Sequence, residues 1–185
     1  MGISLEHAKQ VLAEADLLYS ADEIAQHLDI MASAISAQLA DKNPLVLCVM
    51  NGGVITAGHL LTRLAFPLEQ DYVHASRYRG NTSGAETLTW LHKPAVSLQD
   101  RHVLLVDDIL DEGYTLREVV QWCRQQGAAS VLVAALADKQ HARRVSGIQC
   151  DFPALPLVDR YVFGFGMDYK EYWRNLNGIY AVKGM

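Results

Sequence analysis

The run Val103-Leu104-Leu105-Val106-Asp107-Asp108-Ile109-Leu110-Asp111-Glu112-Gly113-Tyr114-Thr115 places three aspartates, a glycine and a threonine directly behind four aliphatic residues. Two adjacent carboxylates at the end of a buried strand are good acceptors for a cis-diol such as a ribose, either directly or through a divalent cation. The backbone N–H groups from Glu112 to Thr115, at the start of a helix, can hold a phosphate, with the Thr115 hydroxyl as a further donor. Gly113 lets the chain close around that anion. Asp111, one turn closer to the phosphate loop, is placed to take or give a proton at an atom attached to the sugar. Taken singly, the acidic residues serve equally well as helix caps that favour the helix dipole.

Other residues with chemical potential also fall at strand ends. Pro44 to Met50 is a short, nearly continuous apolar run that empties into Asn51-Gly52-Gly53, as expected for a strand buried on both faces. Val131 to Ala137 is a second such run, ending on Asp138-Lys139. A helix is expected from about Val54 to Ala65 and another from Leu116 to Gln126, stopped by Gly127. The stretch from Pro67 to Tyr78 and the one from Glu86 to Leu91 read as a hairpin around the Gly- and Thr-rich tip 79–84. The first forty residues read as helical: Ser4 caps a short helix, and Ile24, Leu28, Ile35 and Leu39 form one buried stripe in the next. Strands alternating with helices at this spacing argue for an α/β fold, a mainly parallel open sheet with helices on both faces. In such sheets ligands bind beyond the carboxyl ends of the strands.

Composition narrows the function classes. Sixteen Lys and Arg against 21 Asp and Glu give the 185-residue chain a formal charge of −5, the wrong sign for gathering nucleic-acid phosphates by counterion release. No apolar run approaches the ~20 residues of a membrane span, and the N-terminus has neither a signal-peptide pattern nor, with Glu6, a myristoylation site. Cys48, Cys123 and Cys150 are too few and too scattered for a disulfide framework or zinc cage, which suits reduced thiols in the cytoplasm.

The run from Val103 to Thr115 resembles the phosphoribosyl-diphosphate (PRPP) motif of type I phosphoribosyltransferases, and the rest of the chain, from about Leu45 to Lys183, resembles the hypoxanthine-guanine branch in a short bacterial form. That resemblance implies a role for each matching residue. Asp111, Glu112, Gly113, Tyr114 and Thr115 would bind the 5′-phosphate, and Asp107 and Asp108 the ribose. Asp111 would also be the catalytic acid or base at the purine N7. Asn51 and Gly52 match the pyrophosphate loop, where the family has a cis peptide that here would join Met50 to Asn51. Asn51 stands where many relatives have Lys. Ser76, Arg77 and Tyr78 match the start of a mobile catalytic loop over 76–86, with Arg77 inserted in the family's Ser-Tyr pair. Arg174 would reach pyrophosphate. Ile109, Lys139, Tyr161, Val162 and Asp168 would form the purine site: Lys139 donating to the 6-oxo group, Tyr161 stacking on the base, the Val162 backbone reading its edge. Mg2+ would be held by Asp168 through water and, less directly, by Asp107 and Asp108 near the ribose.

Glu112 stands where relatives have a small hydroxylated residue, so its side chain must turn outward and leave only its N–H for the phosphate. The implied organisation is one phosphoribosyltransferase domain over 1–185: N-terminal helices to about 40, a PRPP-binding core over 41–150, and a purine-binding hood over 151–185. The implied protein is a cytoplasmic purine-salvage enzyme, a homodimer or homotetramer acting on PRPP and a 6-oxopurine, with no nucleic-acid or membrane partner. Lone readings of these residues stay open: Lys139 as a solvated charge, Tyr161 as a core aromatic, Arg174 as an exposed helix charge. A PRPP-fold RNA-binding regulator would need a basic face, and a xanthine-preferring transferase would differ at the purine 2-position. A phosphorelay receiver is excluded, because its acidic pair belongs on the first strand whereas Asp107 lies past the chain's midpoint.

Overall fold

The computed structural model describes residues 2–78 and 87–185, without the side chains of Arg77, Tyr78 and Thr87. Thirteen elements follow one another along the described chain. Helix α1 (Leu5–Glu14) is capped by the Ser4 hydroxyl, which accepts from the His7 N–H at 3.2 Å. Strand β1 (Asp16–Tyr19) then leads to α2 (Ala21–Leu39), which opens with a reciprocal capping box between Ser20 and Glu23. The core units follow: β2 (Leu45–Met50), α3 (Gly53–Leu61), β3 (Glu69–Tyr78), β4 (Thr87–His92), β5 (His102–Leu110), α4 (Tyr114–Gln125), β6 (Ser130–Lys139) and β7 (Phe152–Leu157). Two short strands, β8 (Val162–Phe163) and β9 (Ile179–Ala181), close the chain.

Six strands form one sheet in the order β4-β3-β2-β5-β6-β7, parallel except for the β3–β4 hairpin. Alternation along the strands supplies two cores. Val46, Cys48, Leu104, Val106 and Leu136 face α2 and α3, and Leu45, Leu47, Val49, Val103 and Leu105 face α4. Both sheet faces are thus covered, which explains the continuous apolar runs. From β2 the chain steps outward to β3, and from β5 it steps the other way to β6. The topological switch lies between β2 and β5, where a crevice opens for ligands. Strand β5 pairs with β2 only as far as Val106, opposite Cys48, but with β6 as far as Leu110, opposite Asp138. Asp107 and Asp108 therefore sit inside the strand, past the Val106 end expected from sequence, with one neighbour withdrawn.

Three expectations need correction. The first forty residues are not all helical: Asp16–Tyr19 pairs antiparallel with β9, some 160 residues away, in a three-stranded sheet β1-β9-β8. A four-residue strand carries too little local pattern to declare itself without that partner. Helix α1 joins the same hood, since Val11 and Leu12 pack on Phe163 and Tyr169 and Ala8 O accepts from Trp173 Nε1–H at 2.8 Å. The hood is thus built from both ends of the chain, and β7, placed in the hood by the sequence boundary at 151, belongs to the core sheet. The apolar stripe of α2 is buried within the chain. Helix α3 ends at Leu61, four residues before the expected Ala65. The segment 79–86 of the expected catalytic loop, with the Arg77 and Tyr78 side chains, lies outside the described residues.

Candidate active site

Strand alternation aims Asp107 and Asp108 at opposite sides of β5. Asp107 lines one cavity, about 300 Å³, with Met50, Ile109, Asp111, Glu112, Gly113 and Thr115. Asp108 lines another, about 290 Å³, with Lys139, Tyr161, Val162, Met167 and Asp168. Ile109 and Asp111 border both. The two chambers therefore meet at one carboxylate.

The first chamber is a loop wrapped on a helix start. Gly113 has φ 84°, a left-handed conformation natural to glycine, and α4 begins at the next residue. The backbone N–H groups at the start of α4 carry the positive end of the helix dipole toward this loop. Arg143 Nε stands 3.9 Å from the Glu112 carboxylate.

Opposite this loop the backbone is packed to contact. The peptide between Met50 and Asn51 is cis, as the resemblance implies. A Cβ on Gly52 would overlap the Asp108 carboxylate, and one on Gly166 would overlap the Gly52 carbonyl. Gly166 has φ 106°, so two glycines let the β2 end and the hood approach Asp108 from both sides. Arg174 spans the same place, donating to Gly166 O at 2.8 Å and pairing with Asp168 at 2.6 Å.

Charge is concentrated here and little exposed. Asp107 and Asp108 are buried, with Asp107 Oδ1 accepting from the Asp108 N–H at 2.9 Å and Asp108 Oδ1 from the Ile109 N–H at 2.8 Å. Burial, then the adjacent Asp108 carboxylate, pushes the Asp107 carboxyl well above its ordinary range. Burial also raises Asp108, against opposing hydrogen bonds and the charge of Arg174. Asp111 behaves oppositely. Its partial burial would push it up, but hydrogen bonds from Lys139 at 2.8 Å and His141 at 2.5 Å prevail and hold it below the ordinary value.

The family model for the phosphoribosyl transferase domain matches residues 14–171. The chain belongs to the phosphoribosyltransferase family. Among curated relatives it is 32% identical to the hypoxanthine-guanine-xanthine phosphoribosyltransferase of Tritrichomonas foetus, over 90% of this chain and 91% of the relative. It is 31% identical to the hypoxanthine-guanine phosphoribosyltransferase of Streptococcus pneumoniae strain R6, over 90% and 92%. A solved hypoxanthine-guanine-xanthine phosphoribosyltransferase superposes with a TM-score of 0.82 at 30% identity, covering 91% of this chain and 96% of that one.

Within this phosphoribosyltransferase fold, Asp107, Asp108, Asp111, Lys139, Tyr161, Val162 and Asp168 line one chamber or the other, Gly52 and Arg174 pack beside Asp108 and Asp168, and neither the exposed Asn51 nor Ser76 lines a chamber. Ser76 is exposed on β3 opposite Thr89. Tyr161 is 41% exposed, with its ring edge-on to Tyr169 at 5.4 Å, so one aromatic face remains available. Sequence reasoning missed the segment after Lys139. Arg144 donates to Leu110 O, Asp111 O and Lys139 O and pairs with Asp138, tying the ends of β5 and β6 together. Arg143 forks onto Asp159 with two bonds of 2.7 Å, and the Val145 N–H donates to Glu112 O at 2.9 Å. Their only sequence trace is a polar, doubly basic stretch, Gln140 to Arg144, directly behind a strand-end lysine.

Proposed function

We infer that the chain transfers the 5-phosphoribosyl group from PRPP to N9 of hypoxanthine or guanine, giving IMP or GMP and pyrophosphate. The observation that carries this reading is the meeting of the two chambers at Ile109 and Asp111. One chamber has the helix-start amides for a 5′-phosphate, the other a buried Lys beside an exposed aromatic face, as a planar base with a carbonyl requires.

The proposed roles are those the resemblance implies. The amides from Glu112 to Thr115 and the Thr115 hydroxyl hold the 5′-phosphate, while Asp107 and Asp108 accept from the ribose hydroxyls. Asn51, Gly52 and Arg174 serve the diphosphate, together with Ser76, Arg77 and Tyr78. Lys139 donates to the purine 6-oxo group, Tyr161 stacks on the ring, and the Val162 backbone reads its edge. As the C1–O bond breaks, its electron pair leaves with pyrophosphate and N9 supplies the pair for the new C1–N9 bond. Asp111 accepts the N7 proton, leaving the purine neutral. Because base and leaving group are held on opposite sides of a developing sugar cation, orientation and electrostatics supply most of the acceleration.

Among the described residues no three His, Cys, Asp or Glu side chains gather to form a metal cage. The carboxylates that border the chambers instead suit a hard divalent cation carried largely by substrate oxygens. Asp168 would hold Mg2+ through its hydration shell, with Asp107 and Asp108 contributing less directly, and the ion would supply positive charge for the departing diphosphate. No helix of the described residues is long and apolar enough to cross a membrane. A cytoplasmic homodimer or homotetramer without nucleic-acid partners completes the proposal.

The test is pyrophosphate release from PRPP and Mg2+ with hypoxanthine, guanine, xanthine and adenine in turn. Release with the first two and little with adenine is expected, since a Lys donor meets adenine's 6-amino donor unfavourably. Xanthine is included because the Tritrichomonas relative is named for it. No release with any base would overturn the reading.

A further inference from the structure

The Asp111 carboxylate has each oxygen claimed by a different side chain: Oδ2 accepts from Lys139 Nζ and Oδ1 faces His141 Nε2. Which nitrogen of His141 carries the proton follows from its other contact. Nδ1 lies 3.1 Å from the Arg143 backbone N–H, which can only donate, so Nδ1 is the acceptor and the proton sits on Nε2. The imidazole side chain is 3% exposed, so water does not compete for either nitrogen. The turn that carries it is anchored on both sides, by the Arg143 fork onto Asp159 and by Arg144 on the strand-end carbonyls.

Resting on the transferase reading above, we propose that His141 is a positioning residue for the proton acceptor Asp111, donating Nε2–H to Oδ1 so that Oδ2 stays aimed at the purine N7. The two donors on Asp111 have different duties. Lys139 is also the group expected on the purine 6-oxo atom, and a lysine has free torsions with which to turn between the two acceptors. His141 has no such freedom, because its ring is buried and held at Nδ1. When Lys139 engages the base, His141 is left as the fixed donor, keeping one oxygen occupied and the other facing the proton. The charged and titratable groups around this pair are Lys139, Glu112, Asp159, Arg143 and Arg144.

The test compares His141→Ala and His141→Gln with the wild-type chain by steady-state kinetics, and reads the wild-type ring nitrogens by 15N NMR. His141→Ala is expected to lower kcat roughly tenfold, the worth of one charge-assisted hydrogen bond. The KM for PRPP should stay within about twofold, as for an interaction realised after binding. His141→Gln, whose amide can replace the Nε2 donor, should recover most of the loss. The NMR spectrum should show His141 neutral with its proton on Nε2. An unchanged kcat in His141→Ala, equal impairment of both variants, or a proton on Nδ1 would overturn the proposal. The ring spectrum reads the wild-type protein and stands even if a variant fails to fold. A wild-type chain inactive with every base would instead remove the transferase reading, leaving the tautomer to be judged separately.

Discussion

Lys139 Nζ lies 2.8 Å from Asp111 Oδ2, bridging the ends of two adjacent parallel strands. The residue that would recognise the base and the residue that would take its proton are thus an ion pair. Lys139 is buried, so its charge needs a partner at all times: Asp111 in this structure, with Asp159 at 3.9 Å as a weaker second. A base carbonyl can take over part of that duty only if Asp111 releases a donor, which couples recognition of the 6-oxo group to exposure of the proton acceptor.

Asp111→Asn should therefore reduce turnover far more than PRPP binding. Removing a general base costs about 10²- to 10⁴-fold in rate. The phosphate amides are untouched, so the KM for PRPP should change only a few-fold. Steady-state kinetics with hypoxanthine decides it, and an Asn variant with wild-type kcat would remove Asp111 from the chemistry.

Lys139→Met should lower kcat/KM for hypoxanthine and guanine by roughly 10²-fold or more, the range for a buried hydrogen-bond donor lost from a recognition site. Discrimination against adenine should shrink at the same time, since the donor–donor conflict is gone. Competition assays with both bases measure it.

Glu112→Thr should leave the PRPP KM within about twofold, because the Glu112 carboxylate borders Arg143 at 3.9 Å and the phosphate needs only the amide. A large drop in KM would mean that the carboxylate repels substrate.

Asp107→Asn should stabilise the protein while lowering activity. A carboxyl whose folded value is raised costs stability once pH exceeds the unfolded value of about 3.9, and the cost grows as pH climbs toward the raised folded value. The Asn variant should show a gain in Tm at neutral pH. It should fade as pH falls below about 4, where Asp107 becomes protonated in the unfolded state as well. Thermal melts across that window, with no gain at neutral pH, would contradict the burial argument.

Gly166→Ala should be damaging out of proportion to its one added methyl group. The residue has φ 106° and its Cβ would press on the Gly52 carbonyl, so about 2 kcal/mol or more of stability should be lost. Activity should fall further than stability, because Gly52 in turn touches the Asp108 carboxylate. Gly184→Ala also has positive φ but meets nothing within 4 Å, and is the control for the backbone effect alone.

Much of the core sheet and of the two chambers was legible in the sequence because its signals are local. Apolar runs that end in Asn51-Gly52-Gly53, Asp107-Asp108 and Lys139 declare buried parallel strands. Glycine at 113 marks a turn through its own backbone freedom. Asp111, read from its place in the run, does border both chambers. The amino-acid order by itself thus determined the fold class and which strand ends carry polar groups.

Only the tertiary structure decided what those groups touch. Strand β1 exists because a partner strand arrives from the far end of the chain, and no window of neighbouring residues contains that partner. His141, Arg143 and Arg144 look like an ordinary solvated stretch after a strand. Parallel pairing of β5 with β6 brings that stretch beside Asp111, and hydrogen bonds of 2.5 to 3.3 Å then turn loop residues into the frame of the site. The opposite pKa shifts of Asp107 and Asp111 were likewise beyond sequence reach, since both are aspartates at the same strand end. Their shifts run in opposite directions because one is buried beside a like charge and the other is held by two donors.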